Sequence, residues 1–336
     1  MEDTHKRLDD VKAEFEIGNF SQVAYYGVYD GHGGAQTAQM VLEGLHSKIF
    51  NSESFTTGDI DSAIRAGFQA MDQYVVEEAN KTNAMHGCTC VCSLVLDDKI
   101  YFANIGDSEG ILISVVDGKP SPKNMTKPHK ANDPSEKGRI ESLGGHVFFG
   151  RVYGSLAVSR SFGDAKYKKP KTSQDFVSWE PNIVTETLDH SHRYVVLACD
   201  GLWDVMTHQD VADLTHRLFE DGKEASYVAK ALVVRAIRDL QTDDNVTVIV
   251  IKINWDAADA ALDASLATNL QQASGSAAPT PEQSGGSTAP EGSGASPAPE
   301  GSGASTAAQS ETPSQSTPTE GEEEKNQKSE ANGTSE

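Results

Sequence analysis

The 336-residue chain is short of positive charge: 28 Lys and Arg stand against 50 Asp and Glu, a formal net charge of −22. That deficit argues against nucleic acid or an anionic membrane as partner, because phosphates are gripped by Lys and Arg. Long hydrophobic runs are also missing. The longest apolar-dominated stretch, 246–253, suits a core strand and falls far short of the roughly 20 residues of a membrane-spanning helix. The opening MEDTHKRLDDVKAE is charged and lacks the apolar segment of a secretory signal. Cysteine is scarce, four in all, and Cys88, Cys90 and Cys92 alternate along an apolar segment. Alternation puts the three on one strand face, where bridging neighbours is geometrically poor and C-x-x-C zinc spacing is absent. They read as core residues of a protein from a reducing compartment, cytoplasmic or nuclear. Aromatics end at Trp255. From Ala257 onward there are twelve acidic residues against two lysines, among Ala, Ser, Gly, Pro, Thr and Gln. Such a segment cannot offset its ordering entropy by burial. One folded domain, 1–255, and a disordered acidic tail, 256–336, are therefore expected. The octapeptide APEGSGAS occurs twice in the tail and reads as a spacer.

Within 1–255, periodicity predicts strands at 13–17 and 22–30, then helices at 35–50 and 59–80 with apolar residues at helical spacing. Strand-like runs follow at 88–96, 100–105 and 110–116, with Asp97-Asp98 and Asp117-Gly118 as turns. Asp133-Pro134 opens a short helix and Gly144-Gly145 closes it. The stretch 147–158 is broken β. The Lys-rich stretch 165–179 reads as a solvated surface flap, with Trp179 and Trp203 as core or flap anchors. Strands at 183–187 and 194–198, helices at 208–219 and 224–240, and a last strand at 246–253 complete the order. Helices come in pairs between runs of strands. That predicts an α+β sandwich of mainly antiparallel sheets with helices outside, not a doubly wound parallel sheet.

Several aspartates stand where an apolar strand meets a turn. Asp30 ends YYGVY, Asp107 follows YFANIG, Asp200 follows YVVLAC with Asp204 four residues on, and Asp243-Asp244 precede NVTVIVI. One strand-end Asp is usually a turn former. Four such sites on four apolar strands suggest more, since converging carboxylates repel unless cations lie between them. Hard oxygen ligands of this kind select Mg2+ or Mn2+ over zinc. In YYGVYDGHGG the glycines let a backbone carbonyl approach an ion, and His32 follows at once.

The segments DGHGG, GDS, RVYGSLAVSRSFGD, LACDGLWDV and DNVTVIV, together with MED at the start, occur in the order and approximate spacing of a known family. Over residues 1–253 the chain resembles the metal-dependent Ser/Thr protein phosphatases (PPM family, type 2C). The resemblance implies a β-sandwich of two antiparallel sheets flanked by helix pairs. It further implies two Mn2+ or Mg2+ ions and a third, weaker one. Asp30 would bridge the pair, the Gly31 carbonyl would ligate one ion, Asp200 and Asp244 would complete the set, and Glu2 would act through water. Asp107 and Asp204 match the third position, and His32 matches the proposed general acid. The implied reaction is direct attack of a metal-activated water on the phosphorus of phosphoserine or phosphothreonine, with no phosphoenzyme. Phosphoproteins are then the expected partners of a monomer.

Two departures qualify the resemblance. The family pattern places a phosphate-binding Arg a few residues before MED, whereas this sequence begins at MED. Taken at face value, that predicts weakened substrate binding and a Glu2 on a frayed terminus. It also raises an alternative, a catalytically impaired member that binds phosphoproteins as a regulatory module. Glu109 stands where GDS is usually followed by Arg, which puts local ion pairing in doubt.

Overall fold

The computed structural model describes residues 1–15, 17, 20–168 and 175–255. The expected tail, 256–336, lies outside these residues. Two antiparallel sheets dominate. The first runs Thr4–Leu8, Val23–Tyr29, Cys90–Leu96, Lys99–Ile105, Asn182–Thr187 in spatial order. The second runs Val248–Lys252, His192–Ala198, Glu109–Val116, Lys119–Asn124.

Alternation along Val23–Tyr29 explains why every residue of this strand is buried. Ala24, Tyr26 and Val28 meet Phe102, Leu112, Val195 and Leu197 between the two sheets. Val23, Tyr25 and Tyr29 face the helices Gln36–Phe50 and Ile60–Thr82 instead. The second sheet shows the same two-sidedness, its outer face packing under His208–Glu220 and Ala225–Val234. The result is the expected α+β sandwich: helix pair, sheet, sheet, helix pair. Full burial of one large apolar side chain in these layers contributes about 1.5–3 kcal/mol. The helices start where the sequence indicates. Asp59 caps Ile60–Thr82 by accepting from the Ser62 N–H, and Asp133 caps Pro134–Ser142 by accepting from Ser135 and Glu136. All four cysteines are free and buried, with Cys88, Cys90 and Cys92 in one core. No described helix is long and apolar enough to cross a membrane.

Two expectations need correction, and one strand went unread. The strand predicted at 13–17 does not form. The edge strand is Thr4–Leu8, and Val11–Ala13 is one tight helical turn. Charged THKRL hides its alternation, but charge on an edge strand guards against pairing with other chains. Lys119–Asn124 is a strand despite Pro120 and Pro122. It lies at the sheet edge, where a residue without an N–H is tolerated. Within the stretch read as a solvated flap, Lys166 is exposed, but Lys168 is buried in an ion pair with Asp72. Lys169 and Lys171 lie outside the described residues.

Two buried histidines impose a pH dependence. Burial, then the Lys6 charge, lowers His46 to about 4. Burial, then Arg160, lowers His129 to about 3. Both folded values lie below the unfolded one. Their contribution is therefore complete above about pH 6.5 and is lost as the pH falls toward the folded value, at up to about 1.4 kcal/mol per pH unit for each. His46 packs against Phe15 and Tyr25. In denaturant titrations between pH 6.5 and 4, His46→Phe is expected to lose less stability than the parent. Parallel losses would contradict this.

Candidate functional site

Strand register explains why the aspartates meet. Val23–Tyr29 and Lys99–Ile105 flank Cys90–Leu96 antiparallel, so Tyr29 and Ile105 end at the same edge of the first sheet. In the second sheet Ala198 pairs with both Val248 and Glu109. The end of His192–Ala198 thus coincides with the starts of Val248–Lys252 and Glu109–Val116. Gly106-Asp107-Ser108 is the short link between the sheets at that edge. Asp30, Asp107, Asp200 and Asp244 follow or precede these strand ends and gather at one end of the sandwich.

Close backbone contacts tighten the cluster. A β-carbon on Gly31 would lie 2.6 Å from the Glu2 carbonyl oxygen and 3.2 Å from Ala38 Cβ. A side chain on Gly201 would overlap the Asn245 carbonyl, so only glycine lets Asp200-Gly201 lie against Asp244-Asn245. Glu2, expected to fray, is half-buried, and its N–H donates to Asn245 Oδ1 at 3.2 Å. Thr4, two residues on, pairs with Tyr29. Asp3 is brought in as well, its Oδ2 accepting from Thr247 Oγ1 at 2.8 Å.

The electrostatics are those of crowded like charges. Burial raises Asp30 to about 9, and Asp3, Asp200, Asp107 and Asp244 add to the effect. Burial and Asp200 raise Asp107 to about 6, with Lys130 opposing. Asp200 is raised by burial, then by Asp244 and Asp204. Its Oδ1 is buried with no hydrogen-bond partner. An acidic cluster with an orphaned carboxylate oxygen fits hard divalent cations, which neutralise the repulsion and take up the lone pair. Asp204 and Asp244 are exposed at the rim, and Lys130 Nζ approaches Asp204 Oδ1 at 3.4 Å. Among the described residues, no three His, Cys, Asp or Glu side chains form a ready-made ligand cluster. The carboxylates instead converge from separate strand ends, with the rim members facing solvent.

His32 sits beside this cluster in a small three-stranded sheet, Phe162–Gly163, Gly87–Cys88, Gly31–His32. Register places both His32 and Gly163 opposite Gly87, so the next residue, Asp164, reaches the imidazole. His32 Nε2 and Asp164 Oδ2 are 2.7 Å apart, and Ser161 Oγ donates to the same oxygen at 2.6 Å. Burial lowers the proton affinity of His32, but the Asp164 hydrogen bond and charge, with Asp107 and Glu2, outweigh it and raise the pKa overall. Gly87 leaves the space, since a β-carbon there would overlap both Asp164 Oδ2 and His32 Nε2. Any larger residue at position 87 would therefore separate the pair.

Glu2, Asp30, Gly31, His32, Asp107, Asp200, Asp204 and Asp244 lie at this end of the sandwich, with Asp3 and Asp164 beside them. Asp3 was hidden behind Glu2 in the same tripeptide. Asp164 ends RVYGSLAVSRSFGD, but only the two-residue strand pairings bring it to His32. Glu109, in place of the family's usual Arg, finds partners in Asn124 Nδ2 at 2.8 Å and His208 Nε2 at 3.4 Å.

A family profile described as protein phosphatase 2C matches residues 1–246. Protein spalten of Dictyostelium discoideum is 35% identical over 266 residues, covering 76% of this chain and 26% of its own length. Protein phosphatase 2C homolog 2 of Aspergillus fumigatus is 33% identical over 265 residues, with 75% and 61% covered. A crystal structure of serine-threonine phosphatase 2C from Toxoplasma gondii superposes with a TM-score of 0.64 at 19% identity, covering 75% of this chain and 94% of that one. The last likeness bears on the fold alone. The chain belongs to the protein phosphatase 2C family. It spans about a quarter of the spalten protein and 61% of the Aspergillus protein.

Proposed function

We propose that the chain is a Mn2+- or Mg2+-dependent protein Ser/Thr phosphatase. The observation that carries this reading is the crowded, partly buried set of carboxylates around Asp30, beside a His32–Asp164 pair. In this reading Asp30, Asp200 and Asp244, with the Gly31 carbonyl, would hold two divalent ions, Glu2 would act through water, and Asp107 and Asp204 would serve a third position. When bound, such ions acidify water and offset charge on phosphoryl oxygens. The residues themselves do the rest. By itself the Asp cluster repels a phosphoryl group; by fixing where cations would lie, it would determine where that group docks and that the departing Ser or Thr oxygen faces His32. That leaving alkoxide is strongly basic and needs a proton. His32 supplies it, and Asp164 holds the ring and favours its protonated form.

The test is hydrolysis of a phosphothreonine peptide by the full chain with Mn2+ and with chelator. The expectation is turnover only with Mn2+, lost in Asp200→Asn. Background rates in both, with phosphopeptide binding retained, would replace the enzyme reading by the regulatory-module one.

A further inference from the structure

The helix Ile60–Thr82 carries an aspartate that its amphipathic pattern does not require. Asp72 is buried, and its Oδ1 meets Lys168 Nζ at 2.5 Å, with both side chains about 5% exposed or less. A buried ion pair is a weak source of stability, because desolvation offsets most of the attraction. What this pair holds is more informative. Lys168 Nζ donates to the Ser161 carbonyl at 2.8 Å, and the Gly163 N–H donates to Asp72 Oδ1 at 3.0 Å. One turn earlier, Phe68 packs on Phe162 with ring centroids 5.1 Å apart. Thus three consecutive residues, Ser161, Phe162 and Gly163, are each attached to this helix or to Lys168. The fourth is Asp164, the His32 partner, which adopts left-handed backbone angles of 51° and 43°. An aspartate tolerates that region, but it persists where the surroundings enforce it. Ser161 Oγ donates to Asp164 Oδ2, completing a continuous path from Asp72 to His32.

We propose that the Asp72–Lys168 pair is a positioning clamp, which fixes the Ser161–Asp164 segment so that Asp164 holds His32 where it delivers its proton. The inference rests on the reading of His32 as proton donor. Asp72 and Lys168 touch neither substrate nor the carboxylate cluster. They act through the loop, so their loss lowers the rate of the chemical step and spares metal uptake.

The experiment is a double-mutant cycle on the full chain. Removing one partner alone leaves a lone buried charge, so the clamp is removed as Asp72→Asn/Lys168→Met. Turnover and KM on a phosphothreonine peptide at saturating Mn2+ are measured in the parent and in His32→Ala, with Mn2+-induced thermal shifts alongside. The clamp variant should lose about tenfold in kcat with little change in KM or thermal shift, and should cause no further loss in the His32→Ala background. Ser161→Ala leaves the ion pair in place and cuts one link from the loop to Asp164, so it should reproduce the same selective loss even if the clamp variant folds poorly. Equal fold-losses in both backgrounds, or an unchanged kcat in Ser161→Ala, would overturn the clamp. If His32→Ala itself leaves kcat unchanged, the proton-donor reading fails and the clamp with it. If His32→Ala is slow and the other losses are additive, the clamp alone fails.

Discussion

Asp30→Asn is expected to lose Mn2+-dependent phosphopeptide hydrolysis by on the order of 10³-fold or more, while the metal-free protein becomes more stable. The loss follows from Asp30's position at the focus of the cluster, with Asp3, Asp200, Asp107 and Asp244 all acting on it. Charge stabilisation by bound cations is worth several kcal/mol in phosphoryl chemistry, and each ~1.4 kcal/mol is tenfold in rate. The gain has the same origin. Burying a carboxylate among like charges costs folding free energy that a neutral amide of similar shape avoids. Thermal melts in chelator should therefore place Asp30→Asn above the parent. Added Mn2+ should raise the parent's melting temperature by linkage and leave the variant nearly unmoved. A lower melting temperature in chelator would mean that Asp30 is structural, held by contacts an amide cannot make.

The second large effect is expected at the imidazole. His32→Ala should lower kcat by about a hundredfold, the usual scale of general acid catalysis, with Mn2+ uptake intact. Asp164→Asn should act in the same direction but less strongly, because it leaves the ring present and removes only the charge that orients it. Substrates with a better leaving group give a sharper check. A nitrophenolate departs without a proton, so p-nitrophenyl phosphate should be hydrolysed by His32→Ala at close to the parent rate. An equal deficit on both substrates would assign His32 to binding or folding instead of proton transfer.

The strands bearing Asp30, Asp107, Asp200 and Asp244 were legible in the sequence because each is a β-branched or aromatic run bounded by Asp, with Gly beside it in the first three. The helix pairs were legible from apolar spacing, and their placement between strand runs gave the sandwich. What escaped was carried by pairing instead of periodicity. Thr4–Leu8 is too charged to read as a strand, yet its pairing with Val23–Tyr29 draws Glu2 and Asp3 into the site. The three two-residue strands that join His32 to Asp164 are too short to leave any pattern. Lys168 looked like one of a solvated run of lysines. Its partner Asp72 lies 96 residues away, and no local signal links them.

The central claim is that the carboxylates at the sandwich end form a cation site organised by Asp30. Calorimetric titration of Mn2+ into the full chain, parent and Asp30→Asn, tests it most directly. The parent should take up about two tightly bound ions per chain with release of protons, as carboxylates held protonated by their neighbours give way to metal. Asp30→Asn should lose that tight uptake. Superimposable isotherms for the two proteins would contradict the account.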